Sequence, residues 1–233
     1  MFATKLPLMS VAFFIGLAGL AITGASSALN AAEPAMSERE RIMSEIDKSL
    51  TNKEALQAAI EAGKERSILC ANCHGADGNS LRPNIPNLAE QNTTYIIEQI
   101  GKFVDGRRKH FVMPVLAKNF TFQDKVNLAV YYTSQKLKPT VADPRIAARG
   151  REIYQSLCFS CHGADGRGTA GYALIARQKV GYAIMTLERF RANSSQTDEF
   201  EQKKRSDISM EAATSQLTDT EIEGLAHFAA LMR

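Results

Sequence analysis

The four cysteines of this chain fall in two copies of one five-residue pattern, Cys70-Ala71-Asn72-Cys73-His74 and Cys158-Phe159-Ser160-Cys161-His162. C-x-x-C-H is the attachment signature of c-type haem: two thiols add to the vinyl groups of one porphyrin, and the next residue sets an imidazole beneath the iron. Both copies run on as Gly-Ala-Asp-Gly, residues 75–78 and 163–166, and the chain has no other cysteine. A four-cysteine zinc site would need two distant pairs to converge and would leave both histidines unexplained. A thioredoxin-like dithiol belongs at a helix start after a strand, whereas both patterns here end helical segments. A disulfide within C-x-x-C would close a very small loop and again leave the histidines without a role. Two covalent haems are therefore the expected cofactors, held by Cys70, Cys73, Cys158 and Cys161, with His74 and His162 on the irons.

Where an iron has one histidine, its sixth ligand decides between electron carriage and catalysis. Met113 is the only methionine after Cys73 in the first half, and it is expected in a loop, Phe111-Val112-Met113-Pro114, between two helices. Met210 takes the same place in the second half, eight residues before a capping threonine, as Met113 is before Thr121. Met185 lies inside a helical pattern and Met232 at the C-terminal end, so both are expected to pack. His110, beside Arg107, Arg108 and Lys109, and His227, in the last helix, are the rival ligands.

The elements that must position these groups repeat along the chain. Cys70 and Cys158 differ by 88; an offset of 87 lays Gln91 on Gln178 and Tyr95 on Tyr182, and an offset of 97 lays Met113 on Met210 and Tyr131 on Phe228. The change of offset marks about ten extra residues in the polar stretch 194–202. Helix signals dominate, with Ser37/Glu40, Thr51/Glu54, Thr121/Asp124 and Thr218/Glu221 as capping boxes and Asp143-Pro144 as a helix start. Strand alternation is weak, so the fold class is all-α. Two haem domains are expected, at residues 53–139 and 140–233, joined where two prolines interrupt the helices, with a helical extension at 32–52. A unit of about 90 residues buries little core alone, so haem is expected to complete each one.

In 233 residues, 45% are hydrophobic and 23% charged, a globular composition, and a net charge of +3 is too balanced for a partner recognised through phosphates. No nucleic acid is expected. Lys5, the uncharged stretch 6–23 and the small residues 24–32 read as a secretory signal spanning 1–31, with an uncleaved anchor, and so membrane association, as the alternative. Either way the cysteines lie outside the cytoplasm. The clusters Arg107-Arg108-Lys109 and Lys203-Lys204-Arg205 each precede a candidate distal methionine, where they read as a solvated basic face or as a steering patch for an acidic partner.

The order C-x-x-C-H-G, Pro86-x-Leu88-x-x-Gln91, a Tyr-led helix ending in Phe, Gly106-Arg107, a loop methionine and a helix with Leu128-Ala129-x-Tyr131-Tyr132, all duplicated, resembles the dihaem class I cytochromes of the cytochrome c4 family. The dihaem subunit of flavocytochrome c sulfide dehydrogenase is similar in architecture. The resemblance implies two tandem cytochrome c domains about a pseudo-twofold axis and a periplasmic carrier. Its donor would be a quinol-oxidising complex or a dehydrogenase, its acceptor a haem-copper oxidase. The alternative is an electron-accepting subunit of a dehydrogenase complex, with the extension as its docking element; an independent dihaem enzyme ranks third. In the family a proline carbonyl meets the proximal imidazole. Ala173 stands where the first half has Pro86, so a weaker contact to His162, and a higher potential at that haem, are expected.

Overall fold

The computed structural model describes residues 36–168, 171–192 and 207–233. The signal stretch, the polar insertion and the Lys203-Lys204-Arg205 cluster lie outside the described residues. Helices make up the described chain, and no strand is present among the described residues. None of the described helices is long and apolar enough to cross a membrane.

Helix α1 (Glu38–Thr51) opens on the Ser37/Glu40 capping box, with Ser37 N donating to Glu40 Oε2 at 2.8 Å. Ile42 and Ile46, one turn apart, are buried in a cluster with Ala59, Ile97, Val126, Ala129 and Val130. The extension is thus part of the first repeat's core, and its apolar face is committed to packing. Helix α2 (Lys53–Arg66) starts one residue later than the Thr51/Glu54 box predicts: Asn52 is the cap and accepts from Ala55 N at 2.8 Å. Thr51 instead closes α1, its hydroxyl donating to Asp47 O at 3.0 Å. Asparagine outranks threonine as an N-cap, and two helices meeting at one residue leave room for a single cap.

Next come α3 (Ile68–His74), α4 (Thr93–Val104), α5 (Met113–Lys118) and α6 (Phe122–Ser134), the last opened by the expected Thr121/Asp124 box. The second repeat runs α7 (Pro144–Ile153), α8 (Phe159–His162), α9 (Val180–Arg191), α10 (Ile208–Thr214) and α11 (Asp219–Leu231). Asp143 caps α7 and the Thr218/Glu221 box caps α11. Between α7 and α8 the chain does not break; it passes through one π-helical turn, Tyr154–Cys158.

Each repeat is built on a crossing of its first long helix with its last, α2 on α6 and α7 on α11. Glycine makes both crossings close. A Cβ on Gly63 would press into Asn127 O and Tyr131 Cβ, and one on Gly150 into the Gly224 carbonyl. Gly63 and Gly150 differ by 87 and the cysteines by 88; the π turn carries the extra residue. Tyr154, Leu217, Ile222, Leu225 and Met232 form the second core, and Ala89, Leu137 and Leu174 a small cluster joining the two repeats.

Candidate haem sites

In the first repeat α3 carries both cysteines and the histidine, in the second Cys158 ends the π turn and α8 carries Cys161 and His162, and each short helix stops at a glycine of positive φ, Gly75 (81°) or Gly163 (78°). The turn that follows folds back to bring a backbone carbonyl to the imidazole. His74 Nδ1 lies 2.9 Å from Pro86 O, and His162 Nδ1 lies 2.9 Å from Ala173 O. A carbonyl only accepts, so Nδ1 holds a proton in both rings, and in a neutral ring Nε2 keeps its lone pair. Burial foremost, then the Arg108 guanidinium, outweigh the Pro86 carbonyl and hold the His74 pKa below the ordinary histidine value, so this ring is neutral.

The equal distances correct the expected weakness at Ala173. The carbonyl is placed by its loop, and the loops match: Gly78 O accepts from Leu88 N and Ala89 N at 2.7 and 3.2 Å, Gly166 O from Ile175 N and Ala176 N at 2.8 and 3.1 Å. Proline supplies nothing that alanine lacks there, because the contact uses main-chain oxygen.

The four thiols are all partly buried and unpaired. Burial pushes the Cys70 thiol up, and burial together with Cys161 pushes Cys158 up to about 11. These are protonated thiols in apolar surroundings, not the activated thiolates of a redox dithiol. Tyr132 packs against Cys70, and its buried hydroxyl lacks a hydrogen-bond partner, alone among the described buried side chains.

Met113 is the first residue of α5 and Met210 the third of α10, so the expected loop methionines sit at the starts of short helices. The side chains that accept from the methionine N–H groups, His110 and Asp207, correspond across the offset of 97. His110 Nδ1 accepts from Val112 N at 3.1 Å and Met113 N at 3.3 Å, and Asp207 Oδ1 accepts from Met210 N at 3.2 Å. The sequence reading missed both roles, although the repeat offset aligns the two residues. Met113 packs with Ile100, Phe103 and Ala117. The Tyr172 ring stands edge-on to His162 at 6.3 Å. His227 is occupied elsewhere, accepting from Asp143 N at 2.8 Å. Met232 is buried in the second core, as expected.

Large apolar side chains stand exposed around these groups: Ile68 and Leu69 before Cys70, Leu157 and Phe159 about Cys158, Phe111 and Val115 about Met113, and Ile208 beside Met210. Thiols, a neutral imidazole with Nε2 available, a thioether-bearing helix and an apolar surround fit a covalently held haem in each repeat. Arg108 is no solvated cation: it stacks over Phe103 at 4.5 Å and donates to Gln99 Oε1 at 2.8 Å and Tyr182 Oη at 3.1 Å.

A family model described as cytochrome c matches residues 147–230. Cytochrome c4 of Pseudomonas aeruginosa is 35% identical over 147 residues, covering 59% of this chain and 73% of that protein. The thiosulfate dehydrogenase electron acceptor of Thiomonas intermedia is 28% identical over 159 residues, 62% of this chain and 72% of that protein. The crystal structure of reduced recombinant cytochrome c4 from Pseudomonas stutzeri superposes with a TM-score of 0.65 at 28% identity, covering 75% of this chain and 98% of that one. This likeness supports two covalently bound haem c groups per chain and exchange of electrons with other respiratory proteins. The chain belongs to the cytochrome c4 family of dihaem class I cytochromes c, electron carriers of the periplasm.

Proposed function

We propose that Cys70 and Cys73 would hold the first haem, with His74 and Met113 as the residues that would ligate its iron, and that Cys158, Cys161, His162 and Met210 would do the same for the second. The observation that carries this reading is the matched pair of imidazole-to-carbonyl contacts, each on the residue after a C-x-x-C and each leaving Nε2 for a metal. Haem c would supply one-electron exchange between ferric and ferrous iron, and a histidine together with a methionine on each iron would leave no position for substrate. The carbonyls of Pro86 and Ala173 orient the imidazoles, His110 and Asp207 hold the starts of the methionine helices, and the apolar surround keeps water from the ligands. Residues 53–139 and 140–233 are the two haem domains. Electrons arrive from a quinol-oxidising complex or a dehydrogenase and leave toward a haem-copper oxidase.

Substitution tests the ligands. The long-wavelength band of methionine-ligated ferric haem should fall by about half in Met113→Ala and in Met210→Ala, and vanish in the double variant. Loss of the second half of the band in Met185→Ala, with Met210→Ala unaffected, would contradict the assignment. The Thiomonas relative supports a second reading, in which the chain accepts electrons as a subunit of a dehydrogenase complex. A stoichiometric partner retained through purification would favour that reading, and a free monomer the carrier.

A further inference from the structure

Gln91 and Gln178, equivalent across the offset of 87, each reach out of their own repeat into the other. Gln178 Oε1 accepts from Asn87 N at 2.7 Å while its Nε2 donates to Asn87 O at 3.2 Å. Gln91 Oε1 accepts from Leu174 N at 2.8 Å while its Nε2 donates to Leu174 O at 2.9 Å. Asn87 and Leu174 are related by the same offset, so the exchange is self-complementary about a twofold. Both glutamines are buried, at 4% and 6% exposure. Their amide orientations are fixed, because each Oε1 accepts from two backbone N–H groups, the second being Asn92 N at 3.1 Å for Gln91 and Lys179 N at 3.0 Å for Gln178, while each Nε2 faces a backbone carbonyl.

The peptide groups they grip are those that face the proximal histidines. Asn87 N belongs to the same amide as Pro86 O, which takes the His74 proton, and Leu174 N to the same amide as Ala173 O, which takes that of His162. The peptide unit is resonance-coupled, so donating through its N–H makes its oxygen a stronger acceptor. A stronger acceptor at Nδ1–H holds the ring more firmly and makes Nε2 more electron-donating.

We infer that Gln178 is a positioning residue for His74 and Gln91 for His162, each repeat setting the proximal imidazole of the other through one shared amide. The inference rests on the reading of His74 and His162 as axial ligands. It gives these side chains a use that apolar packing at the same interface would not supply: the electron richness of each iron depends on the docked state of the opposite repeat. A purely structural role would instead loosen both repeats together or act within the repeat that carries the substitution.

The test uses Gln178→Leu and Gln91→Leu in the full haem-loaded chain, leucine keeping much of the volume without the hydrogen bonds. Gln178→Leu should shift the His74 Nδ1–H proton resonance, speed its exchange with solvent on the order of fivefold, and raise the potential of the haem on His74, leaving the His162 signal in place. Gln91→Leu should do the same to His162 and spare His74. Effects on the histidine of the substituted repeat, equal effects on both, or no effect on either would overturn the inference. Absence of a haem-shifted Nδ1–H signal from either histidine in the unaltered protein would instead overturn the ligand reading. Should a variant not load haem, exchange in the unaltered protein decides: the Asn87 and Leu174 amides should be strongly protected, and rapid exchange there would overturn the relay.

Discussion

In the first repeat the turn after the C-x-x-C-H helix is held by a tyrosine from the last helix, Tyr131 Oη donating to Ala76 O at 2.6 Å. In the second it is held by a tyrosine from the π turn that follows the first helix, Tyr154 Oη donating to Gly163 O at 2.7 Å, and Phe228 stands where Tyr131 would be. The distal caps are exchanged in the same way, an imidazole at His110 for a carboxylate at Asp207. The backbone is not exchanged. Glu90 and Arg177 both adopt left-handed φ, 56° and 54°, although neither is glycine, and both are held there by carbonyls of the last helix, Glu90 N to Tyr132 O and Arg177 N to Ala229 O at 2.9 Å each. Such a conformation costs on the order of 1 kcal/mol and persists only where its surroundings enforce it. After duplication, then, the suppliers of individual hydrogen bonds drifted, while the path of the loop that brings a carbonyl to the proximal histidine stayed.

The helix crossings are the most sensitive place to test this equivalence. Gly63→Val and Gly150→Val should each cost about 3 kcal/mol, since the clash is with backbone of the facing helix or with a Cβ, none of which can turn aside. Gly101→Val, in open space on α4, should be nearly neutral. Thermal denaturation of the three variants measures this, and a tolerated Gly150→Val beside a damaging Gly63→Val would break the equivalence of the crossings.

A smaller effect is expected at the exchanged tyrosines. Tyr131→Phe and Tyr154→Phe each strand one partly buried contact and should cost roughly 1 kcal/mol. Phe228→Tyr added to Tyr154→Phe would place a hydroxyl where the first repeat has it, and recovery of about half the loss would show that the turn needs a donor and not a particular helix. No recovery would tie the hydroxyl to its own helix geometry.

The smallest difference is one of acid sensitivity. The Arg145 side chain first, then its backbone N–H, hold the Asp143 carboxyl down to about 2, while the corresponding helix in the first repeat is capped by the uncharged Asn52. A depressed folded pKa contributes stability above the unfolded value of about 4 that is lost as pH falls through the folded one. Between pH of about 4 and 2, amide exchange at the start of α7 should therefore quicken while the start of α2 keeps its cap. Equal loosening of both would contradict the role given to Asp143.

Much of this was legible in the residues themselves where the determining interaction is local. The Ser37, Thr121 and Thr218 capping boxes and the Asp143-Pro144 start each depend on side chains within four positions, and each is formed as read. What escaped depends on partners far along the chain. The N-terminal extension reads equally as a partner-binding or a packing helix until Val126 and Val130 are seen clustered with Ile42 and Ile46. Ala173 reads as a defect against Pro86 until its loop is seen to set the same carbonyl. Gln91 and Gln178 were visible only as a repeated letter, because their partners lie 83 and 91 residues away. The π turn was hidden in a one-residue change of offset, from 87 at the glycines to 88 at the cysteines.

The central claim is that both repeats hold haem covalently. Acid-acetone extraction followed by a pyridine haemochrome assay, set against protein concentration, tests it most directly. Two haems per chain should stay with the polypeptide, falling to one in Cys70→Ala/Cys73→Ala and to one in Cys158→Ala/Cys161→Ala. One haem in the unaltered chain, or haem that passes into the acetone, would contradict the account.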